Sequence, residues 1–225
     1  MEIISHRGNL EGPCHAKENS LAAISEAAQA GFGVELDLRL HVDGRWYLSH
    51  DPLSQAETAV WLDDNLKSLI GNNSHLQWAI NIKAIHGLPE LATLTRECWF
   101  HRNCFYFDFE LLEPSSPGSA QRTLTETYQL DPVHLASRLS DHNEPLSQCI
   151  HIYSRIVWAD EFESPWLTTQ DALKVHQANK LFFWVSPELH GANDVTRQKR
   201  WAEAKTWGLD AICTDYPMEA KSFFK

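Results

Sequence analysis

The chain is poor in positive charge, in paired cysteines and in long apolar runs. Nineteen Lys and Arg stand against 30 Asp and Glu, a formal charge of −11. Such a balance argues against a nucleic-acid partner, because affinity for a polyanion rests mainly on Lys and Arg neutralising phosphates. An anionic small molecule would need a local positive site. The five cysteines, Cys14, Cys98, Cys104, Cys149 and Cys213, are dispersed and never spaced as CxxC. Neither a disulfide framework nor a cysteine zinc site is expected, and a reducing compartment is the simpler reading. No stretch approaches the roughly 18 apolar residues that cross a bilayer, and Met1-Glu2 leads into Ile3-Ile4 without a basic, apolar leader. A cytoplasmic chain with no integral membrane association is therefore expected. There is no internal repeat, low-complexity tract or long linker, so residues 1–225 are read as one domain.

What is present is an ordinary globular composition: 225 residues, 43% hydrophobic and 22% charged. Short apolar runs alternate with helical patterns along the whole chain. Strands are expected at 2–5, 33–38, 78–82, 104–109, 133–136, 155–158, 181–185 and 210–213, with a hairpin turning at Asp43-Gly44 into 46–49. Between them, helical patterns cover 20–30, a segment starting near Pro89, 120–129, 168–179 and 195–207. Asn19 or Ser20 caps the first helix, and Gly31 sits where a left-handed residue ends it. Eight strands separated by helices point to a (β/α)8 barrel, although a doubly wound open sheet gives a similar pattern. Because that barrel takes about 250 residues, some helices must shrink to loops, with 137–148 the best place for one.

In a barrel, chemistry collects where strands end on the carboxyl face. That rule selects His6-Arg7-Gly8, Glu35 and Asp37, His50-Asp51, Lys83, Asp108, Asp160, Glu188 and Asp215. Glu35 and Asp37 are two apart, so a strand puts both on one face, close enough to share a hard divalent cation such as Mg²⁺ or Ca²⁺. The alternative is that Asp37 pairs with Arg39 outside the barrel. His6 and His50 together offer one base and one acid, although any single histidine among twelve carries little weight.

HRG (6–8), ENS (18–20), GFGVELDL (31–38), VDG (42–44) and LSHDPL (48–53), followed by NIK (81–83) and GLDAICTDYP (208–217), resemble the glycerophosphodiester phosphodiesterase family, within the wider phospholipase-C-like phosphodiesterase barrels. The resemblance implies a barrel that hydrolyses a phosphodiester with two histidines and one divalent ion. His6 and His50 match the catalytic pair, Glu35 and Asp37 two of the metal ligands, and Arg7 and Lys83 the basic residues on the phosphoryl oxygens. The family places a third metal carboxylate where this chain has Asn81, which keeps an amide oxygen but removes a charge, so weaker metal binding is expected. The loop SPELHG (186–191) also departs from the family's pattern, and its Glu188 and His190 are candidates for reading the substrate. Asp108 and Arg138 are ambiguous between site and salt bridge, whereas Trp158 and Trp166 are read as packing.

The expected activity is metal-dependent hydrolysis of a soluble, small-molecule glycerophosphodiester to an alcohol and glycerol phosphate. Two alternatives remain open: a non-catalytic barrel that binds a phosphorylated ligand, and a lyase-like reaction that stops at a cyclic phosphate.

Overall fold

A computed structural model gives the fold and describes residues 1–53, 59–84, 87–109, 118–142, 145–150 and 153–225. Ten strands follow in chain order. They are β1 (Glu2–His6), β2 (Gly33–Leu40), β3 (Trp46–Leu48), β4 (Val60–Trp61), β5 (Trp78–Ile82), β6 (Cys104–Phe107), β7 (Ala136–Leu139), β8 (Ile156–Ala159), β9 (Leu181–Val185) and β10 (Ala211–Thr214). The helices are α1 (Leu21–Gln29), α2 (Asp64–Asn72), α3 (Leu88–Leu94), α4 (Ser119–Glu126), α5 (Leu146–Cys149), α6 (Thr169–Gln177), α7 (Asp194–Ala204) and α8 (Pro217–Phe223). None of the described helices is long and apolar enough to cross a membrane.

Parallel pairing runs β6-β5-β2-β1-β10-β9-β8-β7. A parallel bridge between Tyr106 and Leu135 joins the two ends of that run. The result is the closed eight-stranded barrel expected from the alternation. The hairpin at Asp43-Gly44 is also present: β3 pairs antiparallel with β2, Leu38 opposite Leu48, and β4 extends the pair.

Alternation along the strands sorts the core into two shells. One parity, including Val34, Leu36, Trp78, Ile80, Val157, Phe182 and Ile212, packs outward against helix residues such as Ile24, Leu91, Val175 and Trp201. The other parity fills the barrel with Ile4, Ala79, Phe105, Phe107, Ile156, Trp158, Phe183 and Cys213. Trp158 lies stacked on Phe107, ring centroids 4.2 Å apart, so it is interior packing as expected. This apolar plug closes the barrel and pushes the polar residues of the inward parity to its carboxyl end.

One expectation needs correction. The fifth strand is Ala136–Leu139 rather than 133–136, because Pro132 opens a 3₁₀ turn over Pro132–His134 that Asp131 caps through Val133 N. Helix α2 adds an element to those expected; Asp63 caps it, accepting from Asn65 N and Leu66 N at 3.0 Å each. Among its described residues, the stretch 137–148 contains no full crossover helix, and α5 is a single four-residue turn.

Candidate active site

The carboxyl end of the barrel opens into a cavity of about 500 Å³. His6, Arg7, Glu35, His50, Asn81, Lys83, Glu188 and His190, all singled out from sequence, line it. Asp37 does not reach the wall: it is fully buried, behind Arg7 and Asn19.

The first two motifs build one unit. After His6 the chain turns through Arg7 in the left-handed region, φ 52°, while Arg7 N donates to Glu35 O at 2.9 Å. Its guanidinium reaches two carboxylates, Nη1 donating to Glu18 Oε2 at 3.0 Å and Nε lying 2.8 Å from Asp37 Oδ2. Asn19 buckles the same corner, donating through Nδ2 to Asp37 Oδ2 at 2.9 Å and accepting from Asp37 N at 3.1 Å. Ser20 then caps α1 through Ala23 N. The three residues of ENS thus act separately, with Glu18 holding Arg7, Asn19 holding Asp37 and Ser20 starting the helix. Hydrogen bonds from Arg7 and Asn9 outweigh burial and hold Glu18 below the ordinary carboxylate range.

Glu35 and Asp37 do share the inward face of β2, and the parallel register sets Asn81 beside Asp37. Burial, then the charge of Asp37, pushes the Glu35 carboxyl up to about 7 against the opposing pull of His6, Arg7 and Lys83. Three oxygens here are buried without a hydrogen-bond partner: Glu35 Oε2, Asp37 Oδ1 and Asn81 Oδ1. Buried acceptors left in this state are costly, and three hard oxygens on neighbouring strand positions suit Mg²⁺ or Ca²⁺. The donor set thus fits a divalent cation, with only two carboxylates. Among the described residues, no group of three or more His, Cys, Asp or Glu is placed to hold a metal.

The expected alternative pairing of Asp37 with Arg39 does not occur. Arg39 instead clasps two carbonyls, donating from Nε to His50 O at 3.0 Å and from Nη1 to Lys83 O at 2.8 Å. It ties the loop bearing His50 to the end of β5, a positioning role that no sequence motif marks.

The two histidines differ in setting. His6 is 14% exposed in its side chain and His50 48%. His6 Nδ1 lies 2.8 Å from Asp215 Oδ1, and its Nε2 lies 3.9 Å from Glu35 Oε2. Burial disfavours the imidazolium, but the Asp215 hydrogen bond and the charges of Glu35 and Asp215 outweigh it and raise the His6 pKa. Asp215 is fixed in turn by Asn9 Nδ2 at 2.8 Å. His50 Nδ1 lies 2.9 Å from Asp51 Oδ1. The sequence selects Asp215 only as a strand-end residue; its inward parity with Ala211 and Cys213 on β10 is the signal that points to more.

Beyond β5, the wall is charged. Lys83 Nζ donates to Asp108 Oδ2 at 3.1 Å, and Arg138 binds the other Asp108 oxygen. His190 pairs with Asp160. Glu188 accepts from Ser186 Oγ, Thr214 Oγ1 and Asp215 N, and burial raises its pKa despite them.

Comparison with solved structures finds the same architecture in several proteins. A glycerophosphodiester phosphodiesterase from Agrobacterium tumefaciens matches with a TM-score of 0.67 and 21% identity, covering 100% of this chain and 99% of its own. A phosphodiesterase from Oleispira antarctica, solved in complex with the product sn-glycerol-3-phosphate, gives 0.70 at 16% identity over 99% and 96% of the two chains. A glycerophosphodiester phosphodiesterase from Parabacteroides distasonis gives 0.67 at 13% over 99% and 96%. At these identities the likeness establishes the (β/α)8 fold, shared across the whole chain. No protein-family model and no curated protein matches this chain.

Proposed function

We propose that this protein hydrolyses small-molecule phosphodiesters of the glycerophosphodiester class. The observation that carries this reading is the meeting, in one cavity, of an imidazole oriented by a carboxylate (His6 and Asp215), a second imidazole (His50) and two cations (Arg7 and Lys83). A pure binding site has no use for an acid–base pair. The product found on the Oleispira antarctica phosphodiesterase, which shares the fold, supports a small phosphate ester as the ligand.

Glu35, Asp37 and Asn81 would hold a divalent cation, Mg²⁺ or Ca²⁺, which when bound draws charge from the phosphoryl oxygens. Arg7 and Lys83 complement the charge that grows on those oxygens in the transition state. One imidazole takes the proton of the nucleophile, either water or a neighbouring substrate hydroxyl. The other delivers a proton to the departing alcohol. Asp215 keeps the His6 ring in one orientation, as the third member of such a relay does.

Release of alcohol from a panel of glycerophosphodiesters, with chelator, Mg²⁺ or Ca²⁺, tests the reading. Activity is expected to require the cation, and His6→Ala and His50→Ala are each expected to lower kcat by about 10² to 10⁴. Phosphorus NMR of the products distinguishes full hydrolysis from release of a cyclic phosphate. Silence of the folded wild type in every condition would favour a barrel that only binds a phosphorylated ligand.

A further inference from the structure

The ladder between β9 and β10 ends with Val185 opposite Cys213 and one last bond, from Ser186 N to Cys213 O at 2.9 Å. In a parallel ladder the bonds are evenly spaced, so the next rung would run from Asp215 N to Ser186 O. That rung is missing. The chain leaves β9 in a 3₁₀ turn over Pro187–His190, and Ser186 O accepts from Leu189 N at 3.1 Å instead. Glu188, on that turn, supplies the acceptor from its side chain, Oε1 receiving Asp215 N at 3.2 Å.

Two further donors reach the same carboxylate, and their direction is fixed. The Trp201 indole, which can only donate, meets Ser186 Oγ at 2.7 Å, and Tyr216 N meets Thr214 Oγ1 at 3.0 Å. Each hydroxyl has one proton, so Ser186 turns its own to Glu188 Oε2 and Thr214 turns its own to Oε1. Glu188 also lines the cavity, yet both of its oxygens are engaged by the protein's own donors, which sets it apart from a residue that reads substrate. The backbone it holds carries Asp215, whose Oδ1 lies 2.8 Å from His6 Nδ1. From the opposite side Asn9 Nδ2 donates to Asp215 Oδ1 and Gly12 N to Asp215 O, each at 2.8 Å.

We propose that Glu188 is a positioning residue for His6: it replaces the missing rung at the end of β10 and so fixes the direction in which Asp215 meets the imidazole. Its consequence for turnover rests on the phosphodiester reading above. Because a carboxylate accepts, the bond to Asp215 keeps the proton of the neutral ring on Nδ1 and leaves Nε2 unprotonated.

Three substitutions separate reach from charge. Glu188→Gln keeps an oxygen for Thr214 and Asp215 and reverses only the bond to Ser186, whose hydroxyl can accept twice. Glu188→Asp keeps the charge but is one methylene too short, and Glu188→Ala removes both. In turnover of a glycerophosphodiester, Glu188→Ala and Glu188→Asp are each expected to lower kcat about 10- to 100-fold with KM little changed, as when the outer hydrogen-bond partner of a functional histidine is lost. Glu188→Gln is expected to recover most of the rate. In an Asp215→Asn background Glu188→Ala should add little, because groups that act through one another are not additive.

Imidazole ¹⁵N NMR reads the ring without turnover, at alkaline pH with chelator present and with the His6 signals assigned by their loss in His6→Ala. Wild type and Glu188→Gln are expected to show one tautomer, protonated at Nδ1, and the other two variants a mixture. Thermal melting checks that each variant is folded, and the contrast of Glu188→Gln with Glu188→Asp stands even where Glu188→Ala is not. A rate for Glu188→Asp equal to or above that of Glu188→Gln, a rise in KM at constant kcat, a full further loss in the Asp215→Asn background, or a single tautomer in every variant would overturn the inference. A wild type silent on every diester would sink the catalytic reading instead, and the tautomer measurement would still decide whether Glu188 places His6.

Discussion

Asp108 carries much of the organisation of the charged wall beyond β5, because one buried carboxylate serves two cations from the strands on either side of its own. Burial opposes its charge, but Arg138 and Lys83 prevail and hold its pKa below the ordinary value. An unfolded Asp titrates near about 3.9, so the stabilisation from this group is fully present above that pH and disappears as pH falls through the lower folded value. Asp108→Asn leaves both cations facing a neutral amide and is expected to cost about 3 to 5 kcal/mol at neutral pH, as for removal of one partner from a buried pair. Urea denaturation at pH 7 and again near the acid limit of the folded state checks this. The gap between wild type and variant should narrow on acidification, and an equal gap at both would show that the charge of Asp108 is not what stabilises the fold.

At the scale of elements, the turn after β1 is wedged against the first turn of α1. Gly8 adopts φ +84°, and a Cβ there would lie 2.8 Å from Ala23 C and 2.9 Å from Ile24 N. Both atoms are helix backbone and cannot step aside. Gly8→Ala combines left-handed strain with overpacking and is expected to destabilise by about 2 to 4 kcal/mol. Since the same turn aims His6 and Arg7, kcat should fall as well; a variant with wild-type melting and wild-type rate would refute the wedge. Local signals of this kind explain which elements are legible in the sequence. Strands with strict alternation such as β2 and helices with marked ends such as α1 stand out, because period and caps are written within a dozen residues. The shift of β7 by three residues comes from Pro132, whose missing amide stops a strand and suits a turn, so apolar content alone misplaces it. Helix α2 escapes notice because its single buried pair, Leu66 and Ile70, gives a thin apolar stripe. The site divides in the same way. His6, Glu35 and Lys83 follow from the strand-end rule and Asn81 from the family resemblance, whereas the roles of Arg39 and Asp215 depend on partners 11 and 209 positions away in the chain. No local pattern records such pairings.

For the whole molecule, the carboxyl end of the barrel concentrates opposed charges that a compact fold must reconcile, and the three partnerless oxygens of Glu35, Asp37 and Asn81 mark where reconciliation is incomplete. A cation bound there would stabilise the folded chain over the unfolded one, which cannot assemble residues from β2 and β5. Linkage gives about 2.7 kcal/mol when the ion is present at 100 times its dissociation constant. Thermal melting with Mg²⁺ or Ca²⁺ against chelator should therefore show a concentration-dependent rise, removed by Glu35→Gln. Asn81 supplies an oxygen without a charge, and affinity for hard cations grows with the number of charged ligands. The nearly isosteric Asn81→Asp is accordingly expected to reach the same rise at lower ion concentration, while melting lower than wild type in chelator because a third carboxylate then faces Glu35 and Asp37. Both directions must appear together. A rise in melting temperature without any cation would mean that Lys83 and Arg7 already supply the balancing charge, and a wild-type protein indifferent to either ion would leave the three oxygens without a metal to explain them.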